Sequence, residues 1–219
     1  MKKPNYKSFC GPERLYYRGG DKLFLFLKKA GLKSSDSFLD VGCGSLKVGR
    51  LVIPYLQPKK YYGIEPERRW LESGIQNEIP KQVLEFKKPK FSYNRRFFLQ
   101  GFGIKFDVVV AFNVFIHCGI KQLEIFLSNL NEAMSMTGYL LINIKLGDKT
   151  KEVPWRDGRC RYPHSSHYET VYDIENIKKI LKKHNLEEKR IWSPRQDWRT
   201  KSPHNNSLFR IERRQDCVK

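Results

Sequence analysis

The sequence predicts an α/β fold in which a mostly parallel, doubly wound sheet carries helices on both faces. Short apolar segments of strand length alternate along the chain with segments of helical periodicity. The clearest strand, Phe106–Phe112, is apolar almost throughout, as expected of a strand buried on both faces. A chain of 219 residues with 40% hydrophobic and 13% aromatic residues is long enough to bury a sizeable core in one domain.

The first half of the chain predicts three strands joined by helices. A helix over Gly20–Ala30 ends at Gly31, a residue type that favours helix termini. Pro66 is suited to the first turn of a helix. The remaining elements, in order, are a strand at Phe38–Val41, a helix over about Ser45–Tyr55, a strand at Lys60–Ile64, the helix from Pro66, a helical stretch near Pro80–Phe86 and a strand near Phe91–Tyr93.

The second half predicts two further buried strands and then a change of character. Residues 147–168 are polar and aromatic without a clean period, which is typical of a binding loop. The predicted elements are strand Phe106–Phe112, helix Gln122–Met136, strand Tyr139–Ile144, helix Val171–Lys183 and two closing strands at Arg190–Trp192 and Ser207–Glu212.

Two strand ends carry the strongest functional signal. Strand Phe38–Val41 is followed directly by Gly42-Cys43-Gly44, and the next strand ends at Glu65. Glycines at such a turn allow a ligand to approach the backbone closely. A carboxylate at the end of the neighbouring strand can accept both hydroxyls of a ribose. Together they predict a pocket for an adenosine-containing ligand.

The spacing distinguishes between adenosine ligands. A dinucleotide fingerprint has a third glycine where this chain has Lys47. Asp40, two residues before Gly42, would repel a pyrophosphate but suits the ammonium group of a methionine moiety. As separate features, Asp40 could be a helix cap, the glycines a plain turn, and Glu65 a surface carboxylate.

At these residues the sequence resembles the class I methyltransferases that use S-adenosylmethionine. Asp40–Gly44 matches their first motif and Glu65 matches the acid that closes their second strand. The resemblance implies a seven-stranded Rossmann-like sheet with one antiparallel strand, and S-adenosylmethionine bound by Asp40, Gly42, Cys43, Gly44 and Glu65. More narrowly, three segments resemble a subgroup associated with sugar and polysaccharide pathways: Asp40–Arg50, Ile53–Leu56 and Gly63–Pro66.

The resemblance also implies roles outside the first motif. The segment Arg14–Gly20 is expected to fold over the cofactor, with Tyr17 or Arg18 near its carboxylate, and Asn113 is expected to border the methionine part. The implied organisation is a single methyltransferase domain, with an amino-terminal cap and first helix over 1–36, a cofactor-binding core over 37–146, a substrate loop over 147–170, and a closing helix and strands over 171–219.

Three histidines are candidate general bases for a hydroxyl acceptor, because histidine titrates near neutral pH. His117 follows the fourth strand at its carboxyl end, where ligands bind in open α/β sheets. It could equally pack the following helix. His164 and His167 compete for the role from the predicted loop, and with Asp157 or Glu169 they could instead hold a metal. Without a third ligand at a defined spacing, no metal site is predicted.

Charge and cysteine content limit the partners and the compartment. The net charge of +19 is spread along the chain and would attract nucleic acid or another polyanion, although a solvated basic surface explains it equally well. Five cysteines without a Cys-x-x-Cys pair argue against a disulfide framework and a zinc site. No apolar run reaches membrane-spanning length and no signal region follows the basic start. We therefore expect a cytoplasmic protein in a reducing compartment.

The preferred hypothesis is an O-methyltransferase acting on a sugar or glycan hydroxyl. An RNA methyltransferase is the first alternative, and another small-molecule O-methyltransferase or a non-catalytic cofactor-binding partner are further ones. Methylation of a base nitrogen often uses an Asn/Asp-Pro-Pro-aromatic signature after the fourth strand, where this chain has Phe112–Phe115 without prolines. The missing signature does not argue against methyl transfer to a ribose or phosphate group.

Overall fold

Parallel strands alternate with helices in the computed structural model, which describes residues 5–154, 168–192 and 206–214. The chain divides into two units, Met1–Arg95 and Arg96–Lys219. Parallel pairings in both units confirm the predicted α/β class. Among the described residues, none of the helices has the length and hydrophobicity needed to cross a membrane.

The first unit contains three parallel strands in the order β3-β2-β1. Phe38 pairs with Tyr61, and Tyr62 pairs with Lys90, so the three strands run side by side in one direction. Its elements are α1 (Tyr6–Phe9), α2 (Tyr16–Lys29), β1 (Phe38–Val41), α3 (Gly49–Tyr55), β2 (Tyr61–Ile64), α4 (Arg68–Glu78), α5 (Lys81–Lys87) and β3 (Lys90–Ser92).

Packing in the first unit brings helix α4 against the turn that follows β1. All residues of β1 and β2 are buried, as expected of strands covered on both faces. A Cβ atom at Gly74 of α4 would lie only 2.4 Å from the Ser45 carbonyl oxygen. The absence of a side chain at Gly74 therefore permits this close approach.

The second unit is a mixed sheet built around one long strand. Its elements are β4 (Phe106–Ala111), α6 (Ile120–Ala133), β5 (Met134–Leu146), β6 (Lys151–Pro154), β7 (Tyr168–Tyr172), α7 (Ile174–Lys183), β8 (Leu186–Trp192) and β9 (Asn206–Arg213). Strand β5 pairs in parallel with β4 and β7 and antiparallel with β9. Strands β6 and β7, and strands β8 and β9, are antiparallel pairs.

Several predicted boundaries differ from the observed ones. Helix α3 begins at Gly49 rather than near Ser45, because the intervening turn includes Leu46 with a φ of 62°. Helix α6 ends at Ala133, since Met134 already pairs with Phe106 as the first residue of β5. Helix α2 begins at Tyr16, one turn before the predicted start.

The segment predicted as a loop also contains strands. Residues 151–154 form β6, and β7 begins at Tyr168. Helix α7 begins at Ile174 rather than Val171, because Asp173 caps it by accepting a hydrogen bond from the Asn176 amide at 2.8 Å. The described part of the chain thus holds nine strands, two more than the seven expected.

Candidate active site

The turn after β1 approaches the end of β2 through its backbone. Gly42 and Gly44 have φ angles of 71° and 56°, a left-handed conformation that costs glycine little. The amides of Gly42 and Cys43 donate to the carbonyl oxygen of Ile64 at 2.8 and 3.1 Å. The turn is therefore tied to the last residue of the neighbouring strand.

Glu65 is fixed by two backbone amides. The Gly44 N–H donates to Glu65 Oε2 at 3.0 Å, and the Glu67 N–H donates to Oε1 at 2.9 Å. A carboxylate offers about four lone-pair positions. One position on each oxygen therefore stays available for a further donor, so the arrangement suits two adjacent hydroxyls.

Burial controls the protonation of Glu65. Glu65 is only 5% exposed. Its removal from water raises the pKa of the carboxyl group to about 7. The two backbone hydrogen bonds from Glu67 and Gly44 act in the opposite direction. Glu65 consequently changes charge close to neutral pH.

Asp40 has a partner that the sequence does not reveal. The residue is 3% exposed, and the Tyr61 hydroxyl donates to its Oδ2 at 2.8 Å. Burial raises the pKa of Asp40 to about 7, while the Tyr61 hydrogen bond lowers it. The expected contact with a methionine ammonium group stays a prediction.

Cys43 contributes to the turn through its backbone. Its side chain is buried, with the sulfur 3.0 Å from the position that a Cβ atom of Gly63 would occupy. Burial raises the pKa of the Cys43 thiol well above its ordinary value. Its expected role in binding the cofactor would therefore fall to its main chain rather than to its thiol.

The amino-terminal segment lies against the glycine turn, a contact that sequence reasoning missed. Cys10 Sγ is 3.3 Å from Ser45 Oγ and would be 2.6 Å from a Cβ atom on Gly44. Phe9 stacks on Trp70 with ring centroids 5.2 Å apart. The sequence signal for this packing is the group of aromatic residues between Tyr6 and Tyr17, which an exposed segment would not need.

Tyr17 and Arg18 lie in the first turn of α2 rather than in a segment preceding it. The Tyr17 hydroxyl donates to Glu78 Oε1 at 3.3 Å, and the Arg50 guanidinium lies 4.9 Å from the centre of its ring. Arg18 is exposed. The buried neighbour Tyr16, which was not predicted, donates to the Ser45 carbonyl at 2.5 Å. Contacts of Tyr17 and Arg18 with a cofactor stay predictions.

A second turn follows β4 in the other unit and depends on side chains. Asn113 has a φ of 58°, and its amide donates to Asn143 Oδ1 at 2.5 Å. Asn143 Nδ2 returns a hydrogen bond to Asn113 Oδ1 at 3.0 Å. Asn143 is completely buried on β5, so this reciprocal pair anchors the turn to the sheet.

His117 lies in the same turn, where its amide donates to the Val114 carbonyl at 2.9 Å. Burial lowers the pKa of His117 to about 4, and the Glu169 carboxylate acts in the opposite direction. Glu169 is paired with Lys145 at 2.5 Å, and the Thr170 amide donates to the Ile116 carbonyl at 3.1 Å. The imidazole is therefore neutral at physiological pH, and burial makes it a weaker base than an exposed histidine.

The other candidate bases lie outside the described residues. His164, His167 and Asp157 belong to the undescribed range 155–167, so the structure tests neither their catalytic role nor the metal alternative. Glu169, the remaining candidate ligand, lies on β7 in the ion pair with Lys145.

Part of the chain matches a known protein family. Residues 39–140 match a family model described as a methyltransferase domain. No curated protein sequence matches the chain. The matched segment contains the glycine turn, Glu65, Asn113 and His117.

Solved structures with the same fold cover most of the chain. An S-adenosylmethionine-dependent methyltransferase from Clostridium acetobutylicum is similar with a TM-score of 0.64 and 13% identity, covering 91% of this chain and 92% of that one. Magnesium protoporphyrin IX methyltransferase from Synechocystis, with bound S-adenosylmethionine, has a TM-score of 0.61 and 16% identity, covering 91% and 81%.

An O-methyltransferase from a trans-AT PKS multienzyme of Brevibacillus brevis, in complex with S-adenosyl-L-homocysteine, has a TM-score of 0.67 and 13% identity. The match covers 99% of this chain and 82% of that one. Residues 39–140 therefore contain a methyltransferase domain, and the chain shares its fold with S-adenosylmethionine-dependent methyltransferases.

Proposed function

We propose that this protein transfers a methyl group from S-adenosylmethionine to a hydroxyl of a sugar or glycan. The observation that carries the donor assignment is the 3.0 Å hydrogen bond from the Gly44 amide to Glu65. It joins the glycine turn to a buried carboxylate that keeps acceptor positions for two hydroxyls. The residues present therefore fit an adenosine ribose.

Each predicted residue has a defined part in holding the donor. Glu65 would accept the ribose hydroxyls, and the main chain of Gly42–Gly44 would allow close approach. Asp40 would face the ammonium group, Tyr17 or Arg18 the carboxylate, and Asn113 the methionine part. When bound, S-adenosylmethionine supplies an electrophilic methyl group on its sulfonium.

The proton of the acceptor hydroxyl needs a base as its oxygen forms a bond to carbon. His117 is neutral at physiological pH because burial lowers its pKa to about 4. The neutral imidazole can accept the hydroxyl proton, but burial opposes the imidazolium that forms, so alignment of the reactants supplies most of the acceleration. Glu169 favours the charged form of the ring and so assists this proton transfer.

Sequence features support the sugar acceptor. The segments Asp40–Arg50, Ile53–Leu56 and Gly63–Pro66 resemble a subgroup associated with sugar and polysaccharide pathways. Trp155, Trp192 and Trp198 are of the residue type on which the apolar face of a sugar ring packs, and this residue type suits core packing equally well. The fold by itself does not specify an acceptor, since one fold hosts many chemistries.

A donor labelled in its methyl group identifies the acceptor directly. Nucleotide sugars, oligosaccharides and RNA are incubated with the protein and analysed by mass spectrometry. We expect label in a sugar hydroxyl. At a donor concentration below saturation the label should be reduced with Glu65→Gln and retained with Glu72→Gln, an exposed glutamate of α4 paired with Arg68. Label confined to RNA would contradict the sugar acceptor.

RNA methylation is the second candidate because the net charge is +19. The residues after β4, Phe112–Phe115, contain no prolines and do not match the signature of base-nitrogen methylation. A ribose hydroxyl would therefore be the expected RNA acceptor. Label on ribose in the same screen would identify this activity.

A further inference from the structure

One edge of the first unit combines several lysines at the start of three strands. Because β1, β2 and β3 are parallel, the segments that precede them meet at the amino-terminal edge, opposite the ends that carry Gly42 and Glu65. The Gln57 amide donates to the Ser34 carbonyl at 2.8 Å, and the Lys59 amide donates to the Lys87 carbonyl at 2.6 Å. These bonds hold the three segments together.

Positive charge dominates this edge. Its lysines, hereafter the basic edge, are Lys33, Lys59, Lys60, Lys87, Lys88 and Lys90. The segments 31–37, 56–60 and 87–90 contain one carboxylate, Asp36, which accepts the Lys33 amide at 2.8 Å. Among the residues that the structure describes, no carboxylate lies within 4.0 Å of these six ammonium groups. Lys60 Nζ donates to Ser37 Oγ at 3.2 Å and Lys87 Nζ donates to the Leu56 carbonyl oxygen, so both ammonium groups already have an oxygen partner. None of the six positive charges is neutralised by a described carboxylate, and their field attracts an anionic partner.

Two of these lysines occupy backbone positions that favour glycine. Lys59 has a φ of 63° and Lys88 a φ of 50°, both in the left-handed region. A side chain carries a steric cost there that glycine avoids. Replacing both lysines by glycine therefore removes two positive charges without opposing the local backbone conformation.

An aromatic ring lies beside the charges. Phe86 in the last turn of α5 is 65% exposed, and Lys87 Nζ lies 5.6 Å from the centre of its ring. Nucleic acid single strands are bound by this combination, since ammonium groups neutralise phosphates while a base stacks on an aromatic ring. We infer that the basic edge binds a single-stranded nucleic acid.

This inference goes beyond the proposed methyl transfer, because the basic edge and the donor residues lie at opposite ends of the same strands. Binding at the basic edge requires no donor. Failure of nucleic-acid binding would leave the methyltransferase proposal intact, and failure of methyl transfer would leave this binding testable.

The first test measures affinity for fluorescent U20 and T20 oligonucleotides by anisotropy across a salt series. The variant Lys59→Gly/Lys88→Gly should bind more weakly and show a salt slope shallower by about 1.4, since each lost phosphate contact contributes about 0.7. Its melting temperature should stay level or rise, because glycine suits both conformations. The two oligonucleotides distinguish RNA from DNA as the ligand.

The matched control is Lys179→Ala/Lys182→Ala, which removes the same charge from exposed positions of α7. Equal weakening in both variants would overturn the inference, because binding would then follow net charge alone. A fall in melting temperature with unchanged oligonucleotide affinity would overturn it as well.

Phe86→Ala separates nucleic acid from other polyanions. We expect it to weaken binding of U20 while leaving binding of heparin, a polyanion without bases, unchanged. Equal effects on both probes would overturn the assignment to nucleic acid. Binding to vesicles of anionic lipid but not to either oligonucleotide would assign the basic edge to a membrane surface instead and overturn it too.

Discussion

The turns that follow β1 and β4 reach their conformations in different ways. The first, around Gly42 and Gly44, uses glycines and backbone amides that bond to the end of the adjacent strand. The second places Asn113 in the left-handed region and holds it through the side chain of Asn143, thirty residues later. A turn held by its backbone can be predicted from a local glycine motif. A turn held by the side chain of a distant residue has no such local motif.

The chemistry expected of each turn follows the same division. The first turn presents a carboxylate held by amides, a rigid arrangement suited to binding. The second presents an imidazole whose proton affinity is set by burial and by Glu169. Mutations at the two turns should therefore separate binding from turnover.

The largest expected effect is at His117. His117→Ala should lower turnover by about 10²–10⁴-fold through loss of the base, with donor affinity unchanged. Because the pKa of His117 is lowered to about 4, the imidazole stays neutral from pH 8 down to about 5. Protonation of His117 should therefore not lower the wild-type rate between pH 8 and about pH 5. Steady-state kinetics and calorimetry measure the two quantities.

His184→Ala is the matched control, a half-buried histidine at the end of α7. It should leave turnover unchanged. His164→Ala and His167→Ala complete the set, because either residue could be the base. Full activity in His117→Ala together with a collapse in one of these two variants would transfer the role to that residue.

A smaller effect is expected at Glu65. Glu65→Gln should weaken donor binding by about ten- to a hundredfold, the loss of charge-assisted hydrogen bonds worth about 1.5–3 kcal/mol. Because the pKa of Glu65 is raised to about 7, wild-type donor affinity should rise from pH 6 to pH 8 as the carboxyl group ionises. Calorimetry at both pH values should show a smaller rise in Glu65→Gln than in Glu72→Gln, because the ionisation of Asp40 contributes in both variants.

Unchanged donor affinity in Glu65→Gln would contradict the role of the first turn. So would tighter binding of a nicotinamide dinucleotide than of S-adenosylmethionine, since the missing third glycine at Lys47 argues against that ligand.

The smallest effect concerns stability. The pKa of Asp40 is raised from 3.8 to about 7 in the folded protein, which therefore binds more protons than the unfolded chain between these values. Stability contributed by this group is present below pH 4 and is lost as the pH rises through about 7. We expect the melting temperature to fall by a few degrees between pH 5 and pH 8, and to fall less in Asp40→Asn. An identical pH dependence in both proteins would contradict this.

The parallel strands could be predicted because their apolar runs are local, and β1 lies over Phe38–Val41 as the sequence indicates. The packing of Cys10 on Ser45 could not, since it joins residues 35 apart without a motif. The same reason hides Tyr61 as the partner of Asp40. Strand β6 was missed because its pairing with β7 crosses a long segment without regular alternation.

Strand β5 has a consequence for how the second unit unfolds. Leu140 and Ile142 each have a partner on both sides, in β4 and in β9, and the end of β5 also pairs with β7. Separating β5 would remove the hydrogen-bonding partner of three strands in one event. Partly unfolded forms that retain only some of these strands are therefore disfavoured, and the transition becomes cooperative. Asn143 lies within this strand, so unfolding of β5 also removes the anchor of the second turn.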